Sequence, residues 1–132
     1  MAKKNRQKWL TDKISGDWID KDYIIETVLV QCLFHYVEHE LEGVIPDRGY
    51  YDEDLKAGYV SEGYVERNNA CNDEIRKAYA YFKNERVILE EEIDKHFAAN
   101  EIHRATDAET ALYNRDSEML NIIVKYRGYM WT

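Results

Sequence analysis

The chain has 132 residues, 45% of them hydrophobic and 33% charged, and a formal net charge of −8. That length suits one domain, able to bury roughly two thirds of the surface its unfolded form exposes and so to hold a core without staples. Lys3, Lys4, Arg6 and Lys8 crowd the first eight residues and leave −12 on the rest, an acidic body that repels phosphate backbones and argues against a nucleic-acid partner.

Residues 1–8 predict a solvated basic arm. A short amphipathic helix follows over 3–15, with Trp9, Leu10 and Ile14 on one side and Gly16 placed to end it. Asp20 and Asp22 offer N-cap chemistry to a second helix over 21–42, where Ile24, Ile25, Val28, Leu29, Cys32, Leu33, Tyr36, Val37 and Leu41 recur at helical spacing until Gly43. As the most hydrophobic element, it is expected to be the most buried.

Between 43 and 64 the period is lost. Pro46, four glycines and Tyr50, Tyr51, Tyr59 and Tyr64 predict an ordered Tyr/Gly-rich loop or short hairpin, because aromatic bodies pack while their hydroxyls find partners. Nothing breaks a helix over 65–97, and Ile75, Tyr79, Phe82, Arg86, Leu89, Ile93 and Phe97 form one stripe. At 1.5 Å per residue that helix runs about 50 Å, longer than its neighbours can cover. It should therefore pair with a second copy or kink near Asn84. Beyond a break at 98–100, Thr106 and Glu109 make a capping box for a last helix ending at Gly128, with an aromatic terminus over 129–132. The fold class is all-α: one domain over 1–132, a bundle of three main helices with a short N-terminal helix and the Tyr-rich loop between the second and third.

Two cysteines are too few for a disulfide framework or a four-cysteine metal site, and Cys32 and Cys71 read as buried free thiols of a reducing cytoplasm. No apolar run approaches the ~20 residues that cross a bilayer, so no membrane partner is expected. His35 and His39 stand one turn apart near the end of the second helix, and Glu92 and His96 one turn apart on the long helix. Carboxylate-bridged dimetal bundles use Glu-x-x-His in paired copies, a motif this chain lacks, and histidines near helix ends gain from the macrodipole without a ligand. No metal or other cofactor is expected; were one held, His35, His39, Glu92 and His96 would hold it. The acidic run Glu90-Glu91-Glu92-Ile93-Asp94 contains Glu91-x-x-Asp94, half of the magnesium signature of all-α nucleotide pyrophosphohydrolases, with no matching first half before it. A solvated helix face is the plainer reading. No nucleophile stands with a base and no phosphate loop is present, so catalysis has no positive support.

Asp17-Trp18-Ile19-Asp20-Lys21-Asp22, then Val28-Leu29 and Phe34-His35-Tyr36-Val37-Glu38-His39-Glu40, with the ending Lys125-Tyr126-Arg127-Gly128-Tyr129-Met130-Trp131-Thr132, resembles small helical proteins of no assigned activity encoded by tailed bacteriophages. The resemblance implies a phage product acting in the host cytoplasm or built into the particle. It brings no catalytic residues with it.

Together these readings predict a non-enzymatic accessory protein that binds a protein partner, host or phage, and also forms a homo-oligomer. A small structural component of the particle is the first alternative and a divalent-metal phosphohydrolase the second. Eleven tyrosines and three tryptophans exceed what a small core needs. The expected partner surface is Tyr50, Tyr51 and Tyr59 in the loop with Arg127, Tyr129 and Trp131 at the end, since Trp, Tyr and Arg carry interface energy disproportionately.

Overall fold

The computed structural model describes Trp9 and residues 21–130. The basic arm, most of the 3–15 helix and Trp131 lie outside the described residues. Described elements are all helical, with no strand among them: α1 (Lys21–His35), α2 (Asp52–Lys56), α3 (Glu62–Ala80), α4 (Arg86–Ala98), α5 (Ile102–Lys125) and α6 (Arg127–Met130). Two π-helical turns interrupt them, Tyr36–Glu40 directly after α1 and Tyr81–Glu85 between α3 and α4. The all-α expectation thus holds. No described helix is long and apolar enough to cross a membrane.

The first π turn ends in two left-handed residues, Glu42 (φ 53) and Gly43 (φ 79). The Gly43 amide reaches back to the Val37 carbonyl at 2.8 Å, closing the helix end as a C-terminal glycine does. The 43–61 segment forms no hairpin. It is a chain of turns around α2, pinned to α3 where Arg76 donates to the carbonyls of Pro46 (2.8 Å) and Ile45 (3.2 Å). Ser61 then caps α3, its hydroxyl accepting from the Tyr64 amide at 3.1 Å.

The core joins α1, α3 and α5. Leu33, Val37, Ile75, Ala78, Tyr81, Met119 and Ile123 are all within 1% of full burial, and Met130 of α6 closes one end. Against expectation, the most buried element is α3. Seven of its residues are buried, while α1 and its π turn contribute Leu33, Tyr36 and Val37. Hydrophobicity alone misjudged this because Ile25 and Tyr23 of α1 face outward, at 57% and 54% exposure, while three asparagines of α3 face inward.

The long 65–97 helix is continuous but not regular. The π turn at 81–85 contains Asn84, where a kink was expected, and inserts one extra residue per turn. Burial therefore jumps phase: Tyr81 is fully buried, whereas Phe82 of the expected stripe is half-buried and Phe97 is 41% exposed. Beyond this turn α4 and the first half of α5 form an antiparallel hairpin in which Ile93 and Ala105 are the buried residues.

The start of the last helix corrects a second expectation. Asn100 takes a left-handed conformation (φ 59) and reverses the chain. Its successor's carbonyl already accepts from the Ala105 amide at 2.9 Å, so α5 begins at Ile102. Thr106 consequently sits inside the helix, its hydroxyl donating to the Ile102 carbonyl at 2.9 Å, and no capping box forms with Glu109.

Candidate functional site

Among the described residues, polar chemistry gathers at a charged clamp behind the second π turn, at a tyrosine–asparagine cluster beside α3, and along a groove between α1 and α5.

The clamp follows from the phase jump. Because the π turn swings Tyr81 inward, its hydroxyl donates to Asp116 Oδ1 at 2.6 Å. Arg86, one residue past the turn, meets the same carboxylate with both edges of its fork, Nε to Oδ1 at 2.9 Å and Nη2 to Oδ2 at 3.0 Å. Its remaining Nη1 goes to Glu90. Bidentate pairing of this kind fixes geometry as well as charge. Hydrogen bonding to Asp116 holds the guanidinium charged more firmly than usual, and burial, followed by the bond to Asp116, pushes the Tyr81 hydroxyl up. Arg115 covers the Tyr81 ring from 5.6 Å. Asp116 is 7% exposed and receives three hydrogen bonds, while each of the three Arg86 guanidinium nitrogens donates to a carboxylate. Arg86 and Asp116 floor a cleft of about 320 Å³ whose wall includes Glu26, Thr27 and Gln31, but they are committed to each other.

The cluster gathers tyrosines from three segments. The Tyr129 hydroxyl donates to Asn72 Oδ1 at 3.4 Å and its ring meets Tyr36 edge-on, and burial, followed by the influence of Tyr51, pushes its hydroxyl up. Burial raises the Tyr36 hydroxyl to about 12 and the neighbouring Cys71 thiol to about 11. Asn72 is 1% exposed, and neither its Nδ2 nor Oδ1 of Asn69 has a hydrogen-bond partner among the described residues.

The expected partner surface is therefore divided. Tyr51 is buried and Tyr129 half-buried, meeting inside the chain's own packing, while Tyr50 and Tyr59 stand 65% and 81% exposed on the loop. Arg127 is exposed and donates to the Val124 carbonyl at 2.6 Å; Trp131 lies outside the described residues. The four metal candidates are not brought together either. His35 and His39 adjoin each other, whereas His96 pairs with Glu101 at 3.6 Å and Glu92 lines a shallow cleft between α4 and α5. Among the described residues no three His, Cys, Asp or Glu side chains gather as a metal centre's ligands would. Of the acidic run, Glu91, Glu92 and Asp94 are exposed and Glu90 serves Arg86. Both cysteines are free, Cys71 buried and Cys32 half-buried.

Sequence reading missed Tyr81, Asp116 and the three inward asparagines. Arg86 in an apolar stripe was the signal for the first two, since a guanidinium packed partly into a core needs a carboxylate nearby.

The groove between α1 and α5 measures about 360 Å³. Leu29 and Leu120 line it, flanked by Ile25, Tyr113 and Val124 at 57%, 69% and 40% exposure, with Ser117 and Asn121 along one side. Arg127 stands at its end through the bond to Val124. Apolar surface gathered into one trough with a polar edge is the composition of a contact surface. Compared with protein-family models, curated proteins and solved structures, the chain finds no match in any of the three.

Proposed function

We propose that this protein is a non-enzymatic interaction module that seats an amphipathic helix of a partner protein in the groove between α1 and α5. The observation carrying this reading is the exposed row Ile25, Tyr113 and Val124 above Leu29 and Leu120, five apolar residues lining one trough. Helix-in-groove recognition needs such a floor and reads partner residues at i, i+3, i+4 and i+7. The non-enzymatic half is supported by the clamp: Arg86 and Asp116, which floor the polar cleft, are bonded to Tyr81, Glu90 and each other. Each spends its charge on the other or on Glu90, which disfavours a role as base or as a substrate's counter-charge.

The phage resemblance makes the partner a host or phage protein in the infected cytoplasm. A second copy offering one of its own helices is the homo-oligomeric form of the same contact.

The test is a pair of variants, Tyr113→Asp and Ile25→Asp, used as bait in infected cells beside the parent chain and analysed by sedimentation. The reading requires both to lose the parent's partner or self-association while keeping its thermal midpoint within a few degrees. Capture unchanged in both would refute it.

A further inference from the structure

His35 and His39 face a cleft that neither the clamp nor the docking groove uses. His35 ends α1, and His39 lies in the first π turn. Their ring centroids are 4.8 Å apart with planes inclined at 38°. Trp9 lies flat on His35, centroids 4.0 Å apart and planes within 9°, which fixes that imidazole's plane. All three line a cleft of about 340 Å³.

The spacing has a chemical meaning. A cation about 2.0–2.1 Å from one nitrogen of each imidazole lies about 3.2 Å from each ring centre. Centres 4.8 Å apart then subtend an angle of about 100° at the cation, between the values of about 90° and about 109° that octahedral and tetrahedral ions demand. We propose that His35 and His39 are a bidentate chelate for one divalent transition-metal ion of the zinc, nickel or copper class, with water from the cleft filling its other positions.

The surroundings set how firmly it holds. Glu38, between the two histidines in sequence and lining the same cleft, is occupied by Lys83, whose Nζ stands 3.2 and 3.3 Å from its two oxygens. Its carboxylate is thereby withheld as a third ligand, and the ammonium adds a like charge beside the metal. Two protein ligands and a nearby cation make this a capture site rather than a structural centre, so the fold does not depend on loading it. The inference is independent of the groove between α1 and α5.

Full-length protein, stripped with a chelator, is titrated with zinc, nickel, copper or magnesium chloride at constant pH, reading heat and tryptophan emission. One zinc, nickel or copper per chain is expected, with magnesium at least a hundredfold weaker because hard cations prefer oxygen. Copper should quench the emission of Trp9 through its stack on His35, and a Trp9→Phe variant should lose that quenching. His35→Gln and His39→Gln should each weaken binding at least tenfold while preserving the circular dichroism spectrum. Lys83→Met, which frees Glu38 and removes the charge, should tighten it. Binding undiminished in both histidine variants, equal affinity for magnesium, or weaker binding in Lys83→Met would each overturn the proposal.

Discussion

Lys83 and Glu38 tie the two π-helical turns together: Nζ of one lies within hydrogen-bonding distance of both carboxylate oxygens of the other, at 3.2 and 3.3 Å. Lys83 also stands over the Phe34 ring at 4.5 Å, so one side chain couples the end of α1 to the junction of α3 and α4 by charge and by ring contact. Both partners are partly exposed, at 42% and 35%, which limits what the ion pair contributes. A double-mutant cycle on Lys83→Met and Glu38→Gln should give a coupling of about 0.2 to 1 kcal/mol that shrinks in high salt. A coupling several times larger, insensitive to salt, would mean that the pair is more enclosed than described.

The Tyr81–Asp116–Arg86 clamp should behave differently because Tyr81 and Asp116 are buried. Asp116→Asn takes the charge from the carboxylate that holds both edges of the half-buried Arg86 guanidinium, leaving Glu90 as its counter-charge, and should cost about 1.5 to 3 kcal/mol. Tyr81→Phe removes one hydrogen bond and keeps the ring, at a cost of about 1 to 2 kcal/mol. Urea melts of the two variants check the order.

At the helix starts, Ser61→Ala removes the oxygen that accepts from the Tyr64 amide and should destabilise by about 0.5 to 2 kcal/mol. Thr106→Ala loses only an internal hydroxyl bond to Ile102 and should fall within about 0.5 kcal/mol of neutral. A larger loss at Thr106 than at Ser61 would restore the capping box.

Alkaline pH should weaken the fold. Burial raises Cys71 from 9.0 to about 11 and Tyr36 from 10.0 to about 12, so the folded chain keeps protons that the unfolded chain releases. The unfolded state then binds fewer protons over pH 9 to 12, and stability must fall as pH rises through that window. The buried hydroxyls of Tyr81 and Tyr129 shift the same way and add to the decline. The urea midpoint should drop between pH 8 and pH 10.5; an unchanged midpoint would contradict the burial of these groups.

Much of the helical content was legible because it depends on short-range spacing. Gly43 ended its helix where expected, and the break at 98–100 fell at Ala99 and Asn100. What escaped depends on insertions and on distant partners. A π turn does not alter composition, so the stripe through Phe82 looked regular although the inserted residue sends Tyr81 inward. The Thr106–Glu109 pattern was genuine in sequence and lost to geometry, since Asn100 turns the chain and Glu101 takes the N-cap position five residues before Thr106. For the candidate site, the aromatic excess did not show which rings the fold covers. Tyr51 is buried and Tyr129 half-buried, and the exposed row sets Ile25 beside Tyr113 and Val124, 88 and 99 residues further along the chain, a pairing that no local period reveals.

Docking of a partner helix in the groove between α1 and α5 is tested most directly by a photo-reactive side chain at position 113, irradiated in infected cells and in the purified protein. The account predicts one cross-linked species in cells, joined through a peptide whose apolar residues recur at i, i+3, i+4 and i+7. Its absence from a Leu120→Asp background that still folds should follow. Cross-links confined to residues of the same polypeptide, or identical yields from probes at Tyr50 and Tyr59, would contradict it.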